Sequence, residues 1–283
     1  MNQHTIRFPV SIQGIGLHTG EYCTVKIAPS LPDSGITFYL NGGSRRIFPS
    51  DIYSIINPVL STNIGDTSAS ISTIEHLMAC LHALQIDNVD ITVSGNEIPI
   101  LDGSGRPFYR LLKSAEIIPQ SAERKFIKVQ EPKCIDTNGS YIYAEPCDTL
   151  HIRMRIDFDH PLIGVQETEF KMYSRYFGMP WEDCFKNIIA PARTFGFISQ
   201  IEQAMKQGLI KGGSLDSAIV LDDKQIFNPP LRMDDEFVHH KLLDFLGDIY
   251  VAGPILGFFD VCCTSHKLNN QLVRSILEEI CLS

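Results

Sequence analysis

Apolar and polar residues alternate in several short stretches of the chain, which is the pattern of strands that bury one face. Residues 6–12, 22–27 and 36–40 show it near the start. Alternation or a short apolar run returns later and predicts strands at residues 89–93, 126–129, 140–144, 150–158, 217–221 and 254–261. The glycine-rich stretch at residues 14–20 is spaced like a phosphate-binding loop, but strand-like sequence follows it, so we interpret it as a hairpin turn.

Apolar residues three and four positions apart predict the helices. The clearest begins at Ser72-Thr73-Ile74-Glu75, which has the S-x-x-E pattern of a capping box, and it ends near Asp87-Asn88. A second helix contains Phe108, Leu111 and Leu112. Further helices are predicted at residues 181–190, 198–207, 235–247 and 268–280.

The order helix, strand, helix occurs twice, at residues 72–115 and again at 235–280. Each copy opens with a helix that carries histidine. We therefore expect an α+β fold of two related domains, packed as a sandwich with the active site in the cleft between them. The polar stretch at residues 117–125 places the boundary, so the domains are predicted at 1–120 and 121–283.

Composition and charge narrow the classes of function. Asp plus Glu number 33 against 24 Lys plus Arg, and the net charge of −9 argues against a general nucleic-acid binder. No stretch reaches the roughly 20 apolar residues that span a bilayer, and the first residues have no features of a secretory signal. The eight cysteines include no CxxC pair, so we expect a cytoplasmic protein whose thiols are reduced and act as small buried residues.

The strongest chemical signal lies in the helix predicted at residues 235–247 and just beyond it. His240, Asp244 and Asp248 are spaced i, i+4, i+8, so they share one helix face. A histidine and an aspartate one turn apart can hold one metal ion. The alternative is an ordinary histidine–aspartate pair on a helix surface.

Glu75 and His76 form a second signal in the first turn of their helix. The partial positive charge at a helix N-terminus lowers the pKa of His76 and keeps it neutral, as a metal ligand must be. Glu75 points about 100° away from His76, where it could face a water at a metal site. It is also the last residue of the capping box, and both roles stay open.

Together, His76, His240 and Asp244 would supply the three protein ligands of a catalytic zinc, which keeps a fourth position open. His266 lies at a strand-to-helix junction, a place where functional residues often collect. The remaining histidines are interpreted as structural or surface residues.

Several motifs resemble those of the zinc-dependent UDP-3-O-acyl-N-acetylglucosamine deacetylases of lipid A biosynthesis, and the resemblance spans nearly the whole chain. The motifs are GLHTG at residues 16–20, STIEHLM at 72–78, IDN at 86–88, EIPILDGS at 97–104, ARTFGF at 192–197, GGS at 212–214, HKLLD at 240–244 and HKLNN at 266–270. The family fold has two α+β domains with the site between them.

The resemblance also implies roles for individual residues. His76, His240 and Asp244 match the zinc ligands of the family, and Glu75 matches its general base. The remaining matches are His266 for the general acid or electrostatic partner, Asp248 for the carboxylate paired with it, Thr194 for the oxyanion-binding hydroxyl, and Lys241, Phe195 and Phe158 for substrate contacts.

The resemblance implies an amidase with one zinc ion, which removes acetate from the 2-acetamido group of a UDP-linked 3-O-acylglucosamine, and we expect it to be monomeric and cytoplasmic. Ile198, Ile201, Met205 and Leu209 form an apolar face near Thr194 that either lines a passage for the acyl chain or is ordinary core. The rival functions are a zinc hydrolase acting on another amide or a nucleotide ring, and a metal-free protein that binds sugar nucleotides.

Overall fold

The computed structural model describes the chain except for residues 42–44, 48–54, 57–59, 67, 177 and 283. Helices and largely antiparallel sheets make it an α+β protein, as predicted. The strands are β1 (Asn2–Ile6), β2 (Val10–Ile15), β3 (Tyr22–Pro29), β4 (Ile36–Leu40), β5 (Arg45–Ile47), β6 (Ile55–Ile56), β7 (Asn63–Asp66), β8 (Ala69–Ile71), β9 (Val89–Ser94), β10 (Ile117–Glu123), β11 (Ile127–Lys128), β12 (Lys133–Thr137), β13 (Ser140–Glu145), β14 (Leu150–Phe158), β15 (Gly164–Lys171), β16 (Arg175–Tyr176), β17 (Met179–Pro180), β18 (Phe195–Phe197), β19 (Ile219–Leu221) and β20 (Ile255–Cys262). The helices are α1 (Glu75–Ala83), α2 (Arg106–Ser114), α3 (Trp181–Cys184) with a π-helical turn at Phe185–Ile189, α4 (Ile198–Lys206), α5 (Glu236–Tyr250) and α6 (His266–Leu282).

Two larger sheets have the same topology. One has the order β2-β3-β9-β4-β5, and the other has the order β12-β13-β20-β14-β15. In both, the middle strand pairs with one neighbour in antiparallel and with the other in parallel. A helix precedes the middle strand in each case, α1 before β9 and α5 before β20, and another helix follows it. The helix, strand, helix order that occurs twice in the sequence is therefore accompanied by the same strand pairing in both sheets.

Helices α1 and α5 pack against each other at very close range. A Cβ atom on Gly247 of α5 would lie only 1.9 Å from the backbone oxygen of Glu75, so only glycine allows this approach. Every residue of α5 except Lys241 is buried, which is typical of a helix enclosed on all sides. The crossing places the first turn of α1 beside the middle of α5.

Three predictions about local structure are wrong. The helix predicted from residue 72 begins at Glu75, and its N-cap residue Ile74 makes no side-chain capping bond. Thr73 has a φ of 60°, which turns the chain just before the helix and removes the capping-box geometry. The strand predicted at residues 6–12 is interrupted, since β1 ends at Ile6 and β2 begins at Val10. The polar stretch that suggested the domain boundary forms a strand, β10, which pairs in antiparallel with β1. The domain division at residues 120 and 121 and the two-domain sandwich stay predictions.

Candidate active site

The three predicted metal ligands converge where α1 and α5 cross. His76 lies in the first turn of α1, and His240 and Asp244 lie one turn apart on α5. All three side chains are buried. Their donor atoms lie within 4.8 Å of one another, although the ligands come from residues far apart in the chain. The close approach at Gly247 brings the two helices together at this point.

The spacing of these atoms fits a zinc ion. Asp244 Oδ1 lies 3.4 Å from Nε2 of His76 and 3.3 Å from Nε2 of His240. Zinc–nitrogen and zinc–oxygen bonds of about 2.0–2.1 Å in a tetrahedral centre set neighbouring donor atoms about 3.3–3.4 Å apart. Among the described residues, this buried Oδ1 has no hydrogen-bond partner, a costly state that a cation would relieve.

The electrostatic environment differs among the three candidate ligands. Burial lowers the pKa of His240 to about 4, so this imidazole is neutral near pH 7. Its Nδ1 lies 3.1 Å from the carbonyl oxygen of Ala192, which fixes the tautomer and aims Nε2 at the site. Burial would raise the pKa of Asp244, but its interactions with His240, Lys241 and His76 outweigh burial and hold the pKa well below its usual value. Burial lowers the pKa of His76, but the hydrogen bond and charge of Asp244 outweigh burial, so the net shift is upward, opposite to the shift expected from the helix N-terminus. A bound metal would therefore compete with a proton at His76.

Glu75 faces the same space and is free of helix capping. Its Oε2 accepts a hydrogen bond of 3.0 Å from the backbone N–H of Thr62. Its Oε1 lies 3.9 Å from Nε2 of His266. Burial is the main cause that raises the pKa of this carboxyl above its ordinary value. A carboxylate with a raised pKa is suited to accept and return a proton near neutral pH.

His266 and Asp248 form the pair that the sequence predicted. Nδ1 of His266 lies 2.8 Å from Oδ2 of the fully buried Asp248. Burial lowers the pKa of His266, but the charges of Asp248, Glu75 and Asp244 outweigh burial and raise it to about 9. The imidazole is therefore a cation near pH 7, with Nε2 directed toward Glu75 and Asp244.

Two residues that sequence reasoning missed hold this pair. Thr62 Oγ1 donates to Asp248 Oδ1 at 2.6 Å, and Asn269 Nδ2 donates to Asp248 Oδ2 at 2.7 Å. Asn269 lies in a motif that carried the family resemblance, which could have marked it. Thr62 belongs to a stretch without clear periodicity, so only the folded structure shows its role.

A cavity of about 340 Å³ opens onto these groups. Lys241 lies in its wall and donates from Nζ to Asp244 Oδ2 at 3.1 Å. Thr194 and Phe195 line it from the start of β18, where Thr194 N donates to the carbonyl oxygen of Gly103. Phe158 also lines the cavity, with its ring centroid 5.7 Å from that of Phe195. All ten residues singled out by sequence thus lie in the triad, around it or in the cavity wall.

A second, mostly apolar cavity of about 390 Å³ shares Thr194 and Phe195 with the first. Ile198, Ile201 and Met205 line it, as one sequence interpretation predicted, whereas Leu209 does not. In α4 only Ala204 is buried, so the alternative of ordinary core packing does not describe this helix. Residues from the glycine-rich turn and from the segment after α4 complete the walls, namely Leu17, Ile210, Leu215, Ala218 and Val220.

Two other histidines have environments of their own. His82 is buried at the far end of α1, with Nδ1 3.0 Å from the carbonyl oxygen of Leu246. His18 lies on the predicted hairpin turn, where its backbone N–H donates to Glu97. Burial and the charge of His266 lower the pKa of His18, while Glu97 opposes them. His18 therefore interacts electrostatically with His266, although the sequence favoured a structural or surface role for it.

Comparison with known proteins agrees with this geometry. The profile of a family described as UDP-3-O-acyl N-acetylglycosamine deacetylase matches residues 3–278. A UDP-3-O-acyl-N-acetylglucosamine deacetylase of Oleidesulfovibrio alaskensis is 42% identical, over 98% of this chain and 90% of that protein. Proteins of the same name from Nitratidesulfovibrio vulgaris and Syntrophotalea carbinolica are 41% and 38% identical, over 100% and 97% of this chain and 90% and 87% of their own lengths.

Proposed function

Because this chain belongs to the UDP-3-O-acyl N-acetylglycosamine deacetylase family, we propose that its site hydrolyses the 2-acetamido group of UDP-3-O-acyl-N-acetylglucosamine with one zinc ion. The products are acetate and UDP-3-O-acyl-glucosamine, and the reaction is an early committed step of lipid A biosynthesis. The enzyme is an amide hydrolase. The observation that carries the proposal is the buried, unpartnered Oδ1 of Asp244 beside two histidine nitrogens, with Glu75 adjacent.

His76, His240 and Asp244 would hold the metal. When bound there, zinc supplies Lewis acidity that polarises the acetamide carbonyl and lowers the pKa of water at the open position. The chain's own residues perform the proton transfers and orient the substrate.

Glu75 takes the proton from the attacking water. The backbone N–H of Thr62 holds one carboxylate oxygen and leaves the other directed into the site. Its raised pKa makes it a better proton acceptor than an exposed glutamate. The hydroxyl of Thr194 lies in the same cavity, where it donates to the oxyanion as negative charge develops on the carbonyl oxygen.

The amine leaves only after it gains a proton. Two groups can supply it: Glu75, once it is protonated, or His266, which Asp248 keeps cationic. His266 also stabilises the negative charge of the tetrahedral stage, whichever group gives up the proton. The pH profile of the Asp248→Asn variant tests the role of His266.

The two cavities bind different parts of the substrate beyond the acetamido group. Lys241, Phe195 and Phe158 contact the polar sugar nucleotide in the first cavity. The apolar cavity beside Thr194 takes the 3-O-acyl chain, whose burial between Ile201 and Met205 supplies hydrophobic binding energy. A hydrolase of a different amide would not need this passage.

The partner in this reaction is a small molecule, and we expect no nucleic acid partner. The structure describes no helix that is long and apolar enough to span a bilayer. We propose that the enzyme acts as a monomer in the cytoplasm, where UDP-linked sugars are made.

Acetate release from matched substrates tests the proposal. Zinc-loaded protein should deacetylate UDP-3-O-acyl-N-acetylglucosamine much faster than UDP-N-acetylglucosamine. Ile201→Gln should raise KM for the acylated substrate only. Val165→Gln, on the exposed face of β15, should change KM for neither substrate. Equal rates on the two substrates would favour the rival zinc hydrolase. A purified protein that binds UDP-sugar but neither holds zinc nor releases acetate would favour the metal-free binding protein.

A further inference from the structure

Two adjacent thiols lie at the end of β20, outside the groups that the proposed reaction uses. Sγ of Cys262 is 3.7 Å from Sγ of Cys263. Both residues are free cysteines. Consecutive side chains on a strand normally point to opposite faces of the sheet, so this contact needs an explanation.

The backbone of Cys263 brings the thiols together. Its φ is 50°, in the left-handed region that residues other than glycine seldom adopt. β20 ends at Cys262, and the turn of the next residue directs the second thiol back toward the first. The position is held by a hydrogen bond of 2.9 Å from Cys263 N to the carbonyl oxygen of Arg155.

Cys262 is buried, but it lies on the opposite face of β20 from Phe259 and Val261. Phe259 and Val261 are fully buried, whereas Asp260, between them, is partly exposed, so Cys262 shares the outward face with Asp260. Cys262 pairs in register with Arg155, whose side chain is 42% exposed. Cys263 itself is partly exposed, which leaves a path for a small ligand.

The distance between the sulfurs suits a single bound atom. Two thiolates held at about 2.3 Å by one tetrahedral centre lie about 3.7–3.8 Å apart. A pyramidal arsenic(III) centre has similar bonds and a narrower angle, so a small rotation of either side chain accommodates it. The thiol of Cys263 also lies 3.9 Å from the carbonyl oxygen of Asp157.

Protonation favours arsenic over a divalent cation. Burial, aided by the neighbouring thiol of Cys263, raises the pKa of Cys262 to about 11. A divalent cation would have to displace protons into solution. Arsenite instead brings hydroxide groups that leave as water with the thiol protons, so the overall exchange releases no proton to solution.

We propose that Cys262 and Cys263 together form a binding site for one trivalent arsenic species. Two S–H bonds and two As–O bonds break, two As–S bonds and two water molecules form, and arsenic stays in the trivalent state. No oxidant or reductant takes part.

Phenylarsine oxide, in the presence of excess monothiol, is the probe. We expect one arsenic per chain, two fewer titratable thiols, and release by a small dithiol such as dimercaptopropanol. Cys263→Ser should lose this binding. Cys263→Gly should lose it as well, and because glycine accepts the positive φ, that variant should fold at least as well as the parent.

Cys134→Ser is the matched control, since it removes an exposed single thiol elsewhere on the same sheet. It should keep the full stoichiometry. The proposal is wrong if Cys263→Gly still binds one arsenic per chain, or if the parent protein binds none. The readout is binding alone, so it does not depend on the deacetylase activity.

Discussion

Two polar clusters lie at opposite ends of α1, and each includes residues of α5. The site cluster comprises His76, His240, Asp244, Glu75, Asp248 and His266. The distal cluster comprises His82, Tyr250, Arg124 and Asp87 with their neighbours Gln85 and Tyr173. Both combine histidine with carboxylate in a low-dielectric interior, yet only one has the geometry of an active site.

The difference is in how far the polar groups satisfy one another. In the distal cluster, Arg124 donates to Asp87 at 2.8 Å and also to Gln85, Tyr173 and Tyr250. The ring of His82 stacks on Tyr250 at 4.3 Å. In the site cluster, Asp244 Oδ1 has no hydrogen-bond partner among the described residues. Unfilled bonding capacity, rather than the types of residue, distinguishes the site.

Charge separates the two clusters as well. Burial lowers the pKa of His82 to about 3, and the nearby guanidinium of Arg124 adds to the effect. The pKa of His266 is raised to about 9, because the carboxylates facing it outweigh the cost of burial. His82 is therefore a neutral packing residue, and His266 is a cation in the wall of the first cavity.

Removing a triad ligand should have the largest effect on turnover. His240→Ala should lose both bound zinc and acetate release, since two protein ligands cannot hold the ion tightly. His82→Phe, in the distal cluster, keeps an aromatic ring against Tyr250 and should retain about one zinc per chain. The prediction is tested by measuring the zinc content and turnover of both purified variants. Full zinc content and normal turnover in His240→Ala would overturn the assignment of the site.

Glu75→Gln should have the second-largest effect on turnover. The amide keeps the shape of the side chain but cannot accept a proton, so kcat should fall by about 10²–10⁴-fold. Zinc content and melting temperature should stay nearly unchanged, because α1 has no side-chain capping bond that the substitution would break. A fall in melting temperature with near-normal kcat would restore the structural interpretation.

These residues show which features of the fold and the site the sequence alone predicts. The bounds of β4 and β14 were predicted correctly because their alternation is clear, and the spacing of His240 and Asp244 showed a shared face. The role of Glu75 stayed open, since a capping box and a catalytic first turn look alike in sequence. The positive φ of Thr73, which removes the capping bond, appears only in the folded chain.

Tertiary contacts explain the other gaps. β15 was missed because it carries several polar residues and lies at the edge of its sheet, where one face and one side meet solvent. Thr62 has no local signal, since its partner Asp248 lies 186 positions away. The distal cluster could not be told from the site by residue type, because the difference lies in which bonds the fold completes.

Asp248→Asn should have a smaller effect, visible mainly in the pH profile. His266 must be protonated to act as a cation, so activity should fall as pH rises through its pKa. Loss of the neighbouring negative charge should move this basic limb to lower pH by about one to three units and lower the maximum. Zinc content should not change, because Asp248 is not among the proposed ligands. A basic limb that stays in place would contradict the pairing.

Arg124→Met should have the smallest effect on turnover and so tests the comparison from the distal end. The side chain of Arg124 is 1% exposed and that of Asp87 is 9% exposed, so methionine leaves a buried carboxylate without its ion-pair partner. Breaking such a pair costs about 3–5 kcal/mol of unfolding free energy. The melting temperature should therefore fall, while zinc content and kcat measured well below the transition stay near those of the parent.

Adding Asp87→Asn should recover part of the lost stability, because the neutral amide is less costly to bury. If Arg124→Met instead released zinc while still folded, the two clusters would be coupled through the crossing at Gly247, and the distal cluster would be part of the catalytic machinery.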